Sequence, residues 1–192
     1  MNDLGEFEQV HIVSYGLATL ISDSVNKLQA IMVFGNKSPQ RVRLKTSEDW
    51  YALAYLGLLE NLAINVASLL DRAKHGKDTN CNFNELKLVL ERCSDKVRFQ
   101  NVIVEIDTLL QKYEGLVPDV LRNKRIAHKD LDELFSCVEY DLDLLEISRF
   151  LIEGYKTVSD ALELSVGARL NMLDFTLIEK KYEESLKQPL NI

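Results

Sequence analysis

At 192 residues the chain has room for one domain with a sizeable core and is short for two. Apolar residues make up 46% and charged residues 28%, and only 8 glycines and 3 prolines exclude an all-β design built on many tight turns. With a formal charge of −7, any surface that binds an anion has to be a local patch set against an acidic background. The expected fold is all-α, a single domain over 1–192 formed as a bundle of about five to seven helices.

Glu6 to about Phe34 carries Val10, Val13, Leu17, Leu20, Ile21, Val25, Leu28, Ile31 and Met32, the three-and-four spacing of one helical face. Gly35 is placed to end this helix as a C-terminal cap. His11 lies near its start as a surface or interface residue. The loop from Asn36 to Thr46 contains Pro39 and the cations Lys37, Arg41, Arg43 and Lys45 without an acid. It reads as a solvated loop or, if Arg41 and Arg43 lie on one side of an extended segment, as an accessory phosphate contact.

Thr46 or Ser47 caps a second long helix, and Trp50 to Leu70 contains one charge, Glu60. Glu60, Asn61, Asn65 and Ser68 argue against a membrane span and for a helix buried in the bundle, antiparallel to the first. Lys74, His75 and Gly76 close it. Asn82-Phe83-Asn84-Glu85 has capping-box spacing and opens a short helix through Leu86, Val89, Leu90 and Cys93, which Ser94 either continues or recaps.

Val97, Val102, Ile103, Ile106, Leu109, Leu110 and Tyr113 mark the next helix, ending near Glu114-Gly115. Pro118 suits the first turn of the helix after it. Asp141 is the candidate cap for a helix through Leu145, Phe150, Leu151, Val158, Ala161 and Leu162, with Gly154 inside and Gly167 closing it. A last segment, Leu170 to Leu186, stops before Pro189. Cys81, Cys93 and Cys137 have no metal or redox spacing and read as reduced, buried thiols of a cytoplasmic protein, the acidic Met-Asn-Asp-Leu-Gly-Glu lacking the basic n-region of a secretory signal. No zinc spacing, phosphate-cradling glycine loop or hydrolase motif is present, so neither a metal nor a cofactor is expected.

The densest chemistry lies in Arg122-Asn123-Lys124-Arg125-Ile126-Ala127-His128, followed at once by Lys129. No acid interrupts this run between Asp119 and Asp130. His titrates near neutrality and can both take and give a proton, while Arg presents a planar fork matched to phosphate oxygens. On an ideal helix Arg122 and His128 stand about 120° apart around the axis and about 9 Å apart along it, so His128 has Lys124 and Arg125 as its helical neighbours. Either the helix breaks before His128, as a cap at Asp130 allows, or a second subunit completes the site. A purely structural reading stands beside these: His128 lies seven residues from Leu121 and falls on a buried stripe, and Asp130-Leu131-Asp132-Glu133 is a helix start.

Arg followed by Asn, then four residues, then His, late in a helical chain, resembles the signature of the HEPN superfamily, and Arg-Asn-Lys-Arg-Ile-Ala-His-Lys-Asp is most similar to its abortive-infection (Abi) branch. The resemblance implies a metal-independent endoribonuclease, a toxin or antiphage effector, that cleaves single-stranded RNA through its own 2′-hydroxyl. It implies a homodimer that brings two motifs together, with an antitoxin protein as a further partner. Arg122 and His128 would be catalytic, with Asn123 orienting the arginine. Lys124, Arg125 and Lys129 are the candidate RNA-backbone contacts. The competing reading is a non-catalytic helical module that dimerises and binds RNA, a nucleotide or a partner protein.

Overall fold

The computed structural model describes residues 5–34, 50–71, 81–117 and 142–170. Within them the chain forms five α-helices: α1 (Glu6–Phe34), α2 (Trp50–Leu70), α3 (Phe83–Arg92), α4 (Gln100–Lys112) and α5 (Leu144–Val166). A 3₁₀ turn, Lys96–Phe99, leads into α4, and no strand occurs among the described residues. The all-α bundle expected from the sequence is what is found. The expected caps at Gly35, Thr46, Ser47 and Asp130, the stops at Lys74, His75 and Gly76, the turn at Pro118 and the segment beyond Leu170 lie outside the described residues, as does Cys137.

α1 is the longest element, about 43 Å at 1.5 Å per residue. Its apolar stripe of Val10, Val13, Leu17, Ile21, Val25, Leu28 and Ile31 is buried along its whole length. Three contacts fix the direction of the chain that follows. Asn65 Nδ2 donates to Asp23 Oδ2 at 2.9 Å, Cys81 Sγ sits against Gly16, and the N–H and Oγ of Ser94 donate to Glu6 Oε2 at 2.8 and 2.7 Å. As the chain advances from 65 to 81 to 94, its contacts step back along α1 from 23 to 16 to 6. α2 therefore runs antiparallel to α1, and the entrance to α3 continues in the same direction.

α2 accommodates its polar residues locally. The half-buried Ser68 donates its Oγ to the Ile64 carbonyl and so enters the bundle with its hydrogen bond made, while Asn61, which donates Nδ2 to the Gly57 carbonyl, stays exposed. No helix among the described residues is long and apolar enough to cross a membrane.

Asn82 caps α3 as its spacing predicts: its side chain accepts from the Glu85 N–H at 2.7 Å. Ser94 neither continues nor recaps that helix. It turns outward to hold Glu6, whose carboxyl is kept below its usual range first by the Ser94 N–H and then by the Ser94 hydroxyl. The tether is therefore intact at neutral pH and is lost as pH falls through that depressed pKa. Val97, expected on the buried face of the next helix, is 80% exposed. The reason is the 3₁₀ turn, which advances three residues per turn and rotates Val97 out while Phe99 turns in, fully buried.

The centre of the bundle is aromatic. Phe83, Phe99 and Phe150 are fully buried; Phe83 meets Phe150 edge-on at 5.9 Å between centroids, and Tyr113 meets Phe150 at 5.3 Å. Gly154 of α5 lies directly over the Phe83 ring. A Cβ there would fall 2.7 Å from Phe83 Cζ and 3.7 Å from Ile21 Cδ1. α5 starts at Asp143 rather than Asp141: the Asp143 carboxylate accepts from the N–H groups of Leu145 and Glu146, each at 3.0 Å. It ends as expected at Gly167, in the left-handed conformation at φ 72°.

Two substitutions test this packing. Gly154→Ala adds helix propensity worth about 1 kcal/mol, but overpacking typically costs about 1–3 kcal/mol, and the enclosed Phe83 ring has no room to swing away. Denaturant titration should show a net loss of stability; a gain would mean that α5 moves off Phe83 freely. Asp143→Ala should cost about 1 kcal/mol as a lost cap, and Asp141→Ala clearly less. The reverse order in the same titration would return the cap to Asp141.

Candidate functional site

All the candidate residues from the sequence, Arg122, Asn123, Lys124, Arg125, His128 and Lys129, lie in 118–141, outside the described residues. Arg41 and Arg43 lie outside them too. What the structure describes is the pair of anchors between which the motif-bearing stretch begins and ends.

The first anchor is the end of α4. Its helix stops at Lys112, the Leu116 N–H donates to the Tyr113 carbonyl at 3.1 Å, and Gly115 takes a φ of 78° that favours glycine. Val117 is then buried, 4% exposed. The second anchor is Leu142 with the Asp143 cap of α5. Tyr113 lies four residues before Val117 and packs on Phe150, which lies seven residues after Asp143. Both anchors are thus tied to one α4–α5 contact, with Phe150 about 10 Å along α5 from its cap. The described residues on either side of the motif-bearing stretch are thus linked through the Tyr113–Phe150 contact.

The charges at this corner are matched among themselves. Lys112 Nζ donates to Glu153 Oε1 at 2.6 Å across the two helices, and Arg149 pairs with Glu146 one turn away on α5. The bond to Glu153 raises the Lys112 pKa, and the bond to Glu146 does the same for Arg149. Lys112 also sits 4.9 Å from the centre of the Tyr113 ring. The Tyr113 hydroxyl is buried without a hydrogen-bond partner, and burial pushes its pKa up, so it stays neutral. The corner holds the neutral Tyr113 ring rigidly and adds no uncompensated cation from these side chains.

Elsewhere among the described residues the reactive groups are quiet. His11 is exposed on α1 and stacks on Tyr15 at 6.3 Å, matching its expected surface position. Cys81 and Cys93 are both free, half-buried and buried respectively. Burial raises both thiols, with Glu85 adding to the shift at Cys81 and Glu6 at Cys93. No group of three His, Cys, Asp or Glu side chains is gathered to hold a metal ion among the described residues.

No family model, curated protein or solved structure matches this chain.

The raised thiol pKa values have a direct consequence. A thiol whose pKa rises has less thiolate at neutral pH and alkylates more slowly. Mass spectrometry after iodoacetamide treatment should find Cys81 and Cys93 largely unmodified in the folded protein and fully modified in urea. Rapid native labelling at Cys93 would show that the α3 end opens.

Proposed function

We propose that this chain is a metal-independent endoribonuclease that cleaves single-stranded RNA, working in the cytoplasm as a toxin or antiphage effector of the abortive-infection kind. The observation that carries the reading is Arg122-Asn123, then four residues, then His128, inside a cation-rich run of an otherwise acidic chain. The all-helical architecture of the described residues supports it.

The chemistry needs only the substrate and these side chains. A base removes the 2′-proton, the 2′-oxygen attacks the adjacent phosphorus, and the bond to the 5′-oxygen breaks as that oxygen receives a proton. The products are a 2′,3′-cyclic phosphate and a 5′-hydroxyl. His128 is assigned the proton transfers and Arg122 the charge on the pentacoordinate phosphorus. Asn123 orients Arg122, and Lys124, Arg125 and Lys129 hold backbone phosphates. The spacing of Arg122 and His128 on a straight helix favours a site completed by a second copy. An antitoxin protein that covers the run would silence it.

The test is cleavage of single-stranded RNA by the purified full chain in EDTA, with the cyclic phosphate identified by mass spectrometry. His128→Ala and Arg122→Ala should each lower the rate by about 10²–10⁴-fold. Arg125→Ala should cost less. A larger loss at Arg125 than at Arg122 would reassign the catalytic arginine. Intact RNA after long incubation at high protein concentration, with binding retained, would leave a non-catalytic binding module.

A further inference from the structure

α1 carries a second stripe on the side away from the core. Glu8, Ile12, Tyr15, Thr19, Ser22 and Asn26 follow one another at intervals of four and three, the spacing of a helix–helix seam. All are exposed except Ser22, which is half-buried, and Ile12 and Tyr15 are 44% and 63% exposed. From Gln9 to Ser22 the helix contains no Asp, Glu, Lys or Arg, in a chain where 28% of residues are charged.

The polar members of the stripe are prepared for removal from water. Thr19 Oγ1 donates to the Tyr15 carbonyl at 2.9 Å and Ser22 Oγ to the Ala18 carbonyl at 2.8 Å. Covering these hydroxyls therefore strands no donor. His11 stacked on Tyr15 restricts the orientation of that ring.

We propose that this face docks a second copy of the chain, α1 against α1, antiparallel across a two-fold axis at the level of Leu17. The stripe is symmetric about that level, so an antiparallel copy sets Tyr15 against Thr19, Ile12 against Ser22 and Glu8 against Asn26. Large side chains meet small ones, as interdigitating layers require, and the one carboxylate faces an amide that can donate to it. A parallel pairing instead sets Tyr15 on Tyr15 and Glu8 on Glu8. Two copies that each carry −7 repel over most of their surface, and this face adds no like charge at its centre. A single helix pair is small beside the standard interface of about 800 Å² per partner, so the dimer should dissociate on the order of micromolar concentrations. The inference does not depend on Arg122 or His128, and a dimer that fails to cleave RNA overturns only the ribonuclease reading.

Sedimentation velocity of the full chain across the micromolar range reads the result, with circular dichroism confirming unchanged helicity in each variant. The wild type should move from monomer to dimer. Tyr15→Lys and Thr19→Glu, both at exposed positions, should each weaken self-association by about 10-fold or more, since each sets a charge without a counter-charge against a neutral side chain of the other copy as the seam is withdrawn from water. Mixing the two variants should restore a dimer, because Lys at 15 of one copy then faces Glu at 19 of the other. A wild type that stays monomeric, or a Tyr15→Lys chain that dimerises like the wild type, overturns the proposal. A mixture that stays monomeric overturns the antiparallel register.

Discussion

The seating of Phe83 under Gly154 is the contact on which the rest of the bundle depends. α3 is only Phe83–Arg92, too short to hold its place by helix propensity alone. It is held because its first residue is a fully buried aromatic ring that reaches α5 at Gly154 and Phe150 and lies beside Ile21 of α1. Burying a ring of this size stabilises by about 1.5–3 kcal/mol. The Asn82 cap fixes where that ring enters, because it sets the residue at which the helix begins. One residue without a side chain on α5 and one correctly placed cap on α3 together decide the spacing of three helices.

α1 is gripped by α2, α3 and α5 along its inner stripe and tethered at its first turn by Ser94. The α4–α5 corner is clamped by Tyr113 on Phe150 and by the Lys112–Glu153 ion pair, an exposed pair whose worth is modest beside the ring packing. The run from Arg122 to Lys129 lies in the stretch 118–141 between these two helices.

Charge is organised by the same logic. Lys27 with Asp23, Lys87 with Asp107 and Glu91, Lys112 with Glu153, Arg149 with Glu146 and Arg169 with Glu163 are each matched close at hand. Pairs of this kind leave little field at a distance. The run from Arg122 to Lys129 has no acid within it.

Helix limits were legible from the sequence because they are set over three or four residues. The apolar spacing of α1 gave its bounds at Glu6 and Phe34, and the Asn82 cap and Gly167 stop followed from side-chain chemistry alone. The choice between Asp141 and Asp143 was not legible, since both are acids before the same apolar run and differ only in which one the backbone presents to Leu145 and Glu146. The outward turn of Val97 and the Ser94–Glu6 bond, which joins residues 88 apart in sequence, also escaped it. That Gly154 lies over Phe83 was not legible either, because only the packing brings residues 83 and 154 together. Of the candidate site, the identity and order of Arg122, Asn123 and His128 belong to the sequence; the Tyr113–Phe150 contact between the helices on either side of it in the chain belongs to the tertiary structure. The difference is physical: capping and periodicity act between neighbours along the chain, whereas packing is decided by which distant side chains fill the same space.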